Sequence, residues 1–317
     1  MWILVRSETR GVDYWYNIQT GTAQWEAPGD AAPGDAAPGD AAPTPWREFA
    51  AAPPRRGKAH NGVFALHNWV KAVAIELACA HTTRPAVLDV GCGRGGDAAK
   101  FARAGAAAYV GVDAEAAMVE AARARRPPCA GARHAVLDMR DRDGARALAA
   151  ELGGPAAPGG ADAAVCMFAL HHAFTTEEGG AAALDLLCGC AGERGSVAVM
   201  IPDGDAVARC LGARGAYSNS IFSARRAGDA GVVFEIPGAT PADDPEPLLG
   251  AKRLRAELAA RGFGHVVLEG TPRQVLARYP ERTGQRRAMH VPATLRREQW
   301  ALADLQYVIV ARRAGHD

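Results

Sequence analysis

Apolar and polar residues alternate in a regular way from residue 61 onward. Short apolar runs are separated by amphipathic stretches of helical period, and the turns between them are short. This alternation predicts a mostly parallel sheet that is covered by helices on both faces, which is an α/β, Rossmann-like fold. The predicted strands are 86–90, 109–113, 134–138, 163–170, 197–202, 219–223, 231–236, 264–269 and 304–311. The predicted helices are 61–80, 95–104, 114–125, 141–152, 177–190, 203–213 and 247–261.

Residues 29–45 do not follow this pattern. They repeat the unit Pro-Gly-Asp-Ala-Ala and end in Pro-Thr-Pro, so they cannot bury apolar surface and are expected to form an extended linker. The linker separates a small module (1–28) from a body (46–317). The net charge of +1 divides in the same way, because residues 1–45 carry −4 and the remainder carries +5. A mildly basic body suits an anionic partner.

A glycine-rich turn follows the first strand of the body. Glycines stand at positions Gly91, Gly93 and Gly96, where the backbone can turn sharply and approach a ligand closely. This spacing satisfies the dinucleotide-binding pattern GxGxxG, which is weak evidence alone. Asp89 extends it to DxGxGxG, the pattern of S-adenosylmethionine-dependent methyltransferases. An acid at this position can hold the ammonium group of methionine.

Two further acids stand at the ends of the next two predicted strands. Asp113 can accept both ribose hydroxyls, and Asp138 can accept the amino group of adenine. Asp113 alone also suits a nicotinamide dinucleotide. Acids at three successive strand ends favour S-adenosylmethionine as the cofactor.

Five segments resemble the messenger RNA cap guanine-N7 methyltransferases. They occur in the order of that family and span residues 61–312. The resemblance implies a class I methyltransferase with a mostly parallel seven-stranded sheet, which transfers a methyl group from S-adenosylmethionine to N7 of the guanine that caps RNA. The segments are ALHNWVK (65–71), GCGRGGDAAK (91–100), CMFALHHAF (166–174), PEPLL (245–249) and the stretch from the TL at 294–295 to Tyr307.

The resemblance also implies a role for each matching residue. His171 and Glu246 are expected to read the guanine edge, because a carboxylate accepts from N1–H and the exocyclic amine. Guanine N7 already carries a lone pair, so no residue is expected to act as acid or base, and His171, Glu246 and Tyr307 are positioning residues. No metal is expected. The expected cofactor residues are Lys71, Asp89, Gly91, Gly93, Asp113, Asp138, Met167 and His172. The expected contacts of the capped RNA are His67, Asn68, Arg94, Lys100, Phe168, His171, Glu246 and Tyr307.

The chain departs from the family pattern at several of these positions. Gln306 stands where the closing tyrosine is expected, and Tyr307 follows one residue late. On a strand this shift turns the ring to the opposite face unless a bulge absorbs it. The departures leave two other interpretations open, a methyltransferase for tRNA or a small molecule and a non-catalytic adaptor. The remaining departures are His67, Arg94, Met167, His172 and Gln299.

Residues 1–28 resemble a WW domain. Tyr14 or Tyr16, together with Trp25, would line a groove for a proline-rich helix. Basic residues in the first loop suggest a phosphoserine-proline ligand instead, such as the tail of RNA polymerase II, although Glu8 opposes this. Another proline-rich partner remains equally open. The expected small core is Trp2, Trp15, Asn17 and Pro28.

The seven cysteines form no CxxC pair and are expected to be reduced thiols in a cytosolic or nuclear protein. No run of about 18 apolar residues is present, so no membrane span is expected. The N-terminus is charged too early for a secretory signal. Cap methylation implies the nucleus, or a cytoplasmic factory if the chain is viral, and a monomer is expected.

Overall fold

The computed structural model describes residues 61–152, 160–228, 231–237 and 245–313, and the backbone of 2–7, 12–17 and 22–24. The predicted linker at 29–45 lies outside the described residues, as do Trp25 and Pro28. The strands are β1 (Trp2–Ser7), β2 (Val12–Asn17), β3 (Thr22–Gln24), β4 (Ala86–Val90), β5 (Ala108–Asp113), β6 (Arg133–Val136), β7 (Ala161–Met167), β8 (Ala191–Pro202), β9 (Ala216–Ser218), β10 (Ser223–Ala227), β11 (Gly231–Glu235), β12 (Glu246–Pro247), β13 (His265–Gly270) and β14 (Gln306–Arg312).

From β4 to β8 the helices alternate with the strands as the periodicity predicts. Two short 3₁₀ helices, Leu170–Thr175 and Gly212–Arg214, accompany them. The α-helices of the described residues are α1 (Asn61–Cys79), α2 (Ala98–Arg103), α3 (Ala116–Arg123), α4 (Arg142–Leu152), α5 (Glu177–Cys190), α6 (Gly204–Leu211), α7 (Ala251–Ala260), α8 (Pro272–Arg278), α9 (Thr283–Ala288) and α10 (Arg297–Ala303).

The body is built on a seven-stranded sheet in the order β13-β14-β8-β7-β4-β5-β6. Strands β4 to β8 are parallel, and β14 runs antiparallel to both β8 and β13. The predicted mostly parallel sheet of seven strands is therefore confirmed. Its two faces carry two buried apolar clusters, because successive side chains of a strand point to opposite faces.

Helix α1 packs on one face of this sheet and supplies much of that cluster, including the fully buried Trp69 and Ile75. It is long and apolar enough to cross a membrane by length and composition alone, yet 61% of its most apolar window is buried inside the molecule. The apolar side chains of α1 therefore pack in the core against the sheet.

Residues 1–24 contribute a separate three-stranded antiparallel sheet in the order β1-β2-β3. Trp2 pairs with Asn17, and Trp15 pairs with Gln24. The backbone therefore contains three short antiparallel strands, and the resemblance of this region to a WW domain stays a prediction.

Several element boundaries differ from the sequence prediction. The strand expected at 219–223 is instead a turn, because Asn219 Oδ1 accepts from the backbone N–H groups of Ile221 and Phe222. The strand was predicted because Ile221 and Phe222 are apolar, and in the turn both of their side chains are buried. The third strand of the body ends at Val136, so Asp138 lies in the following turn. The strand expected to reach residue 170 ends at Met167.

The parallel strands place their carboxyl ends at one edge of the sheet, called here the upper edge. Strand β13 ends and β14 begins at this edge, since β14 is antiparallel to β8. Helix α1 runs from the upper edge downward, because its last turn lies beside Arg312 at the far end of β14. The glycine turn, the start of α1 and the segment between β13 and β14 therefore share one side of the molecule.

Candidate active site at the upper edge of the sheet

The glycine turn after β4 leaves an open cradle. The N–H groups of Gly91 and Cys92 both donate to Val112 O, at 2.8 and 2.9 Å, and fix the turn against β5. Gly91 has a φ of +69°, and a Cβ there would lie 2.3 Å from Ala169 Cβ, so no side chain is possible. Gly93 has a φ of +52°, and a Cβ there would meet nothing within 4 Å. The space over Gly93 can therefore receive a ligand.

Asp113 joins the second strand end to this turn. Its Oδ2 accepts from Gly93 N at 2.8 Å, and its Oδ1 accepts from Glu115 N at 3.0 Å. Burial raises the pKa of Asp113, and these two N–H donors oppose that rise. Each carboxylate oxygen keeps a further lone pair, so the group can still accept a pair of ligand hydroxyls.

Asp89 is a deeply buried carboxyl group at the end of β4. It is 2% exposed and accepts a hydrogen bond from Tyr109 Oη at 2.8 Å. Burial, reinforced by the nearby Asp97, raises the pKa of Asp89 to about 7. A cationic group beside it would favour the ionised form. Tyr109 was missed by sequence reasoning, since a tyrosine inside a buried strand usually signals core packing.

Lys71 and Lys100 share the carboxylate of Asp97. Lys71 Nζ lies 3.0 Å from Oδ2, and Lys100 Nζ lies 2.5 Å from Oδ1 and 3.3 Å from Asn68 Oδ1. Burial alone would raise the pKa of Asp97, but the two lysines lower it to about 2. The cluster therefore carries a net charge of about +1 while Asp97 stays ionised. The spacing of three residues between Asp97 and Lys100 was the available signal for this missed acid.

Lys100 is an expected contact of the capped RNA, yet the structure buries it. The residue is only 6% exposed, and its ammonium group is held by Asp97 and Asn68. The structure thus brings together three predicted residues, Lys71, Lys100 and Asn68. It places Lys100 inside the cluster. Arg94 lies partly buried within the glycine turn.

Phe168 links α1 to the stretch that follows β7. Its ring centroid lies 5.6 Å from that of His67 and 6.0 Å from Lys71 Nζ. Its φ of +63° is strained for a bulky side chain, and its N–H donates to Met200 O at 2.7 Å. Burial, together with Lys71, lowers the pKa of His67 to about 3, so this imidazole is neutral. Its buried Nε2 has no hydrogen-bond partner among the described residues.

His171 and Glu246 meet although 75 residues separate them. His171 Nε2 lies 3.3 Å from Glu246 Oε2, and the two side chains are 3% and 19% exposed. Glu246 is held by β12, which pairs with β11. His171 is two residues from Ala169, which lies against Gly91. The pair therefore stands beside the glycine turn, and the buried Nδ1 of His171 has no partner among the described residues.

His172 and Met167 flank this pair in the chain. The ring of His172 lies 3.8 Å from that of His171, and burial, with His171, lowers its pKa to about 2, so it is neutral. Met167 is 7% exposed and belongs to the apolar cluster on the α1 face of the sheet.

Asp138 is occupied by a neighbouring side chain. Its carboxylate accepts from Arg140 Nε at 3.0 Å and Nη2 at 2.6 Å, and these hydrogen bonds lower its pKa. The adjacent Met139 lies close to the glycine turn, since its Cε would be 3.6 Å from a Cβ at Gly91. A contact with adenine would therefore have to share the carboxylate with Arg140, which sequence reasoning did not include.

Tyr307 lies apart from Phe168. The register between β14 and β8 is regular, so no bulge absorbs the one-residue shift noted in the sequence. Tyr307 packs on the sheet face opposite to Phe168, and its hydroxyl donates to Glu269 Oε2 at 2.9 Å. By alternation Gln306 faces the α1 side. Gln306 is 6% exposed, and its Oε1 has no partner among the described residues.

A parallel sheet with an open glycine turn and acids at its strand ends defines an α/β protein of the Rossmann-like methyltransferase class. Residues 60–231 match the family described as mRNA (guanine-N(7))-methyltransferase domain. This match covers more than half of the chain, and the chain belongs to that family.

Curated relatives match shorter or longer parts of the chain. The mRNA cap guanine-N(7) methyltransferase of Aspergillus niger is 28% identical over 231 residues, which cover 58% of this chain and 37% of the relative. That of Schizosaccharomyces pombe is 39% identical over 61 residues, or 19% and 17% of the two chains. The probable mRNA-capping enzyme of Acanthamoeba polyphaga mimivirus is 48% identical over 52 residues, or 16% and 4%. The chain thus spans well under two thirds of each relative's length.

Solved structures are more distant in sequence. The magnesium protoporphyrin IX methyltransferase of Synechocystis with bound SAH is 16% identical with a TM-score of 0.47, and the alignment covers 85% of this chain and 93% of the other. An S-adenosylmethionine-dependent methyltransferase of Mesorhizobium loti is 16% identical with a TM-score of 0.45, covering 78% and 98%.

Proposed function

We propose that this chain transfers the methyl group of S-adenosylmethionine to N7 of the guanine in the 5′–5′ triphosphate cap of mRNA. The single observation that carries the proposal is the His171–Glu246 pair, 3.3 Å apart beside the glycine turn of a chain that belongs to the mRNA (guanine-N(7))-methyltransferase family. Glu246 would accept from guanine N1–H and the exocyclic amine. His171 would hold the Glu246 carboxylate in the orientation that this contact needs.

The residues at the glycine turn fit the cofactor. Asp89 would hold the ammonium group of its methionine part, and the open space over Gly93 would take its ribose, with Asp113 accepting the hydroxyls. Lys71 and Met167 would lie along the same pocket, and Asp138 would accept the adenine amine if it shares its carboxylate with Arg140. When bound, S-adenosylmethionine supplies a methyl group that its sulfonium already activates.

Because N7 needs no deprotonation, the protein's task is to align the guanine with the methyl group of the cofactor and to exclude water. Phe168 would wall the base, and the strained backbone at this residue supports a role beyond packing. His67 and His172 are neutral, so they add no positive charge beside a sulfonium whose charge must be dispersed as the methyl group moves. The triphosphate would lie near Arg94, Asn68 and the Lys71–Asp97–Lys100 cluster. Tyr307 lies on the opposite sheet face, so its influence on the cap would be indirect, through its hydrogen bond to Glu269.

Methyl transfer to a GpppA cap, with the methylated position assigned on the product, tests this function. Glu246→Ala should lower kcat/KM for the cap by about 100-fold, because a bidentate charge-assisted contact is lost. Glu235→Ala is the matched control, since Glu235 is an exposed acid on β11, the strand that pairs with β12. A Glu246→Ala enzyme with the rate of the control would refute the assignment. Methylation of tRNA or of a small molecule in place of the cap would favour the interpretation as a methyltransferase for those substrates. Failure to detect binding of S-adenosylmethionine by calorimetry would favour the non-catalytic adaptor.

We further propose that residues 1–28 form a WW module that binds a proline-rich or phosphoserine-proline peptide through Tyr14, Tyr16 and Trp25. The three antiparallel strands are compatible with this proposal, and the carboxy-terminal tail of RNA polymerase II is the partner that would bring the enzyme to new transcripts. Titration of the full chain and of its Trp25→Ala variant with phosphorylated and plain tail peptides tests it. Equal binding by both proteins would refute the module's role. Such recruitment would place the enzyme in the nucleus, or in a cytoplasmic factory if the chain is viral.

A further inference from the structure

The segment between β13 and β14 carries an unusual concentration of positive charge. From Pro272 to Trp300 it contains seven arginines and two glutamates, a net charge of +5. This equals the net charge of the whole chain after residue 45, so the basic character of the body is concentrated in one short stretch. The arginines are Arg273, Arg278, Arg282, Arg286, Arg287, Arg296 and Arg297.

Most of these charges are not neutralised by the fold. Two of them form ion pairs, Arg273 with Asp304 and Arg282 with Glu76. Among the described residues, no carboxylate lies within 4.0 Å of the other five. Four of the five are exposed, and these four residues are called here the arginine surface: Arg278, Arg287, Arg296 and Arg297.

The segment that carries the arginine surface adjoins the candidate active site. The segment leaves the sheet at the end of β13 and returns at the start of β14, both at the upper edge. Its helices pack on α1, where Trp69 Nε1 donates to Gln285 Oε1 at 3.1 Å. Another side of α1 carries Lys71 toward the glycine turn. One helix diameter, about 10–12 Å, therefore separates the site from this segment.

We propose that the arginine surface binds the phosphodiester backbone of the RNA that follows the cap. The inference rests on the proposed function and extends the substrate from the cap to the first nucleotides behind it. Guanidinium groups pair with phosphate oxygens in a bidentate manner, and the four arginines of this surface have no carboxylate partner among the described residues. The neighbouring aromatic rings of Tyr279 and Trp300 are covered by arginines and partly buried, so stacking on bases is not offered. The contact is therefore independent of base sequence.

Kinetics with two substrates test the surface directly. The triple variant Arg278→Gln, Arg287→Gln, Arg297→Gln removes three charges from it. The matched control is Arg125→Gln, Arg126→Gln, Arg194→Gln, which removes three exposed charges at the lower edge of the sheet. Each phosphate contact to a single strand contributes a slope of about 0.7 in log K against log salt, so the loss of three contacts weakens binding strongly at moderate salt. For a capped RNA of about 25 nucleotides at about 0.1 M salt, the KM of the triple variant should therefore be at least about tenfold higher than that of the parent. Its KM for the GpppA dinucleotide should stay equal to that of the control.

The salt dependence gives a second measurement of the same contacts. The slope of log KM against log salt for the long RNA should fall by about 2 in the triple variant, since three contacts are lost. An unchanged KM and slope for the long RNA, or an equal rise of KM for the dinucleotide, would overturn the proposal. Fluorescence anisotropy with uncapped RNA is independent of methyl transfer. Weaker binding of uncapped RNA by the triple variant, but not by the control variant, would support the proposed RNA contact even if the protein did not methylate caps. Equal binding of this RNA by the parent, the triple variant and the control would refute the proposal.

Discussion

Replacement of Asp89 by asparagine should stabilise the protein without its cofactor and weaken cofactor binding at the same time. The Asp89 carboxyl group is 2% exposed, and burial is the largest cause of its raised pKa. Asparagine has nearly the same shape and keeps a carbonyl oxygen that can accept from Tyr109 Oη. The substitution therefore removes the cost of an ionised group in the core and leaves the packing in place.

The size of the gain follows from the pKa. The pKa of Asp89 rises from an ordinary 3.8 to about 7 in the folded protein. Between these values the folded state binds more protons than the unfolded state, so the free energy of unfolding falls as pH rises. A difference of about three pH units corresponds to about 4 kcal/mol. The gain of Asp89→Asn should therefore be near zero at about pH 4 and reach about 4 kcal/mol above about pH 7.

Urea unfolding followed by circular dichroism at about pH 5 and about pH 8 measures this difference. Asp138→Asn is the control, because Arg140 lowers the pKa of Asp138 and its replacement should bring no gain. Calorimetry at about pH 8 should show at least about tenfold weaker binding of S-adenosylmethionine to Asp89→Asn, since a charge-assisted contact is lost. Equal stability of variant and parent at about pH 8, or a gain that does not change with pH, would refute the reasoning.

Three further predictions concern the same site. Gly91→Ala should lower the free energy of unfolding by about 3 kcal/mol, because its Cβ would clash with Ala169. Gly93→Ala should lower it by only about 1 kcal/mol yet abolish cofactor binding, because its Cβ would fill the open space over the turn. Denaturation measures the first effect and calorimetry of cofactor binding the second, and similar behaviour of both variants would contradict an open space over Gly93. The lowered pKa of His67 means that stability is lost as pH falls from its ordinary 6.5 toward about 3, so His67→Asn should retain more stability at about pH 4 than the parent, and parallel pH curves would argue against a buried neutral imidazole. Gln306→Leu should raise the free energy of unfolding by about 1 kcal/mol, because a buried acceptor without a partner is removed, and a loss in thermal melting would show that this oxygen is satisfied.

The sheet and the glycine turn could be predicted from the sequence because both are local signals. The apolar run at 86–90 predicted β4 with its observed bounds, and the glycines with Asp89 predicted the ligand-binding turn. Contacts between distant segments required the resemblance or the structure. The sharing of Asp97 by Lys71 and Lys100 depends on how α1 packs on α2, and no periodicity encodes it. The 3.3 Å approach of His171 and Glu246 likewise depends on β12 pairing with β11.

Side-chain competition limited the prediction elsewhere. Asp138 looked available, but Arg140 two residues later engages its carboxylate. Tyr307 was expected at the cap, and the regular register of β14 turns it to the other face, where Glu269 accepts from its hydroxyl. Helices α8 to α10 were not predicted, because their short turns are rich in arginine and carry few apolar positions.

The direction of α1 has a consequence for how a nascent transcript would be captured. Because this helix starts at the upper edge and runs downward, its first residue, Asn61, lies on the same side as the glycine turn. A peptide bound by the proposed WW module would therefore be tethered to the side of the body that carries the glycine turn. A tether makes the second binding event intramolecular, so the proposed module would need only weak affinity for its peptide to keep a capped 5′ end within reach of the pocket.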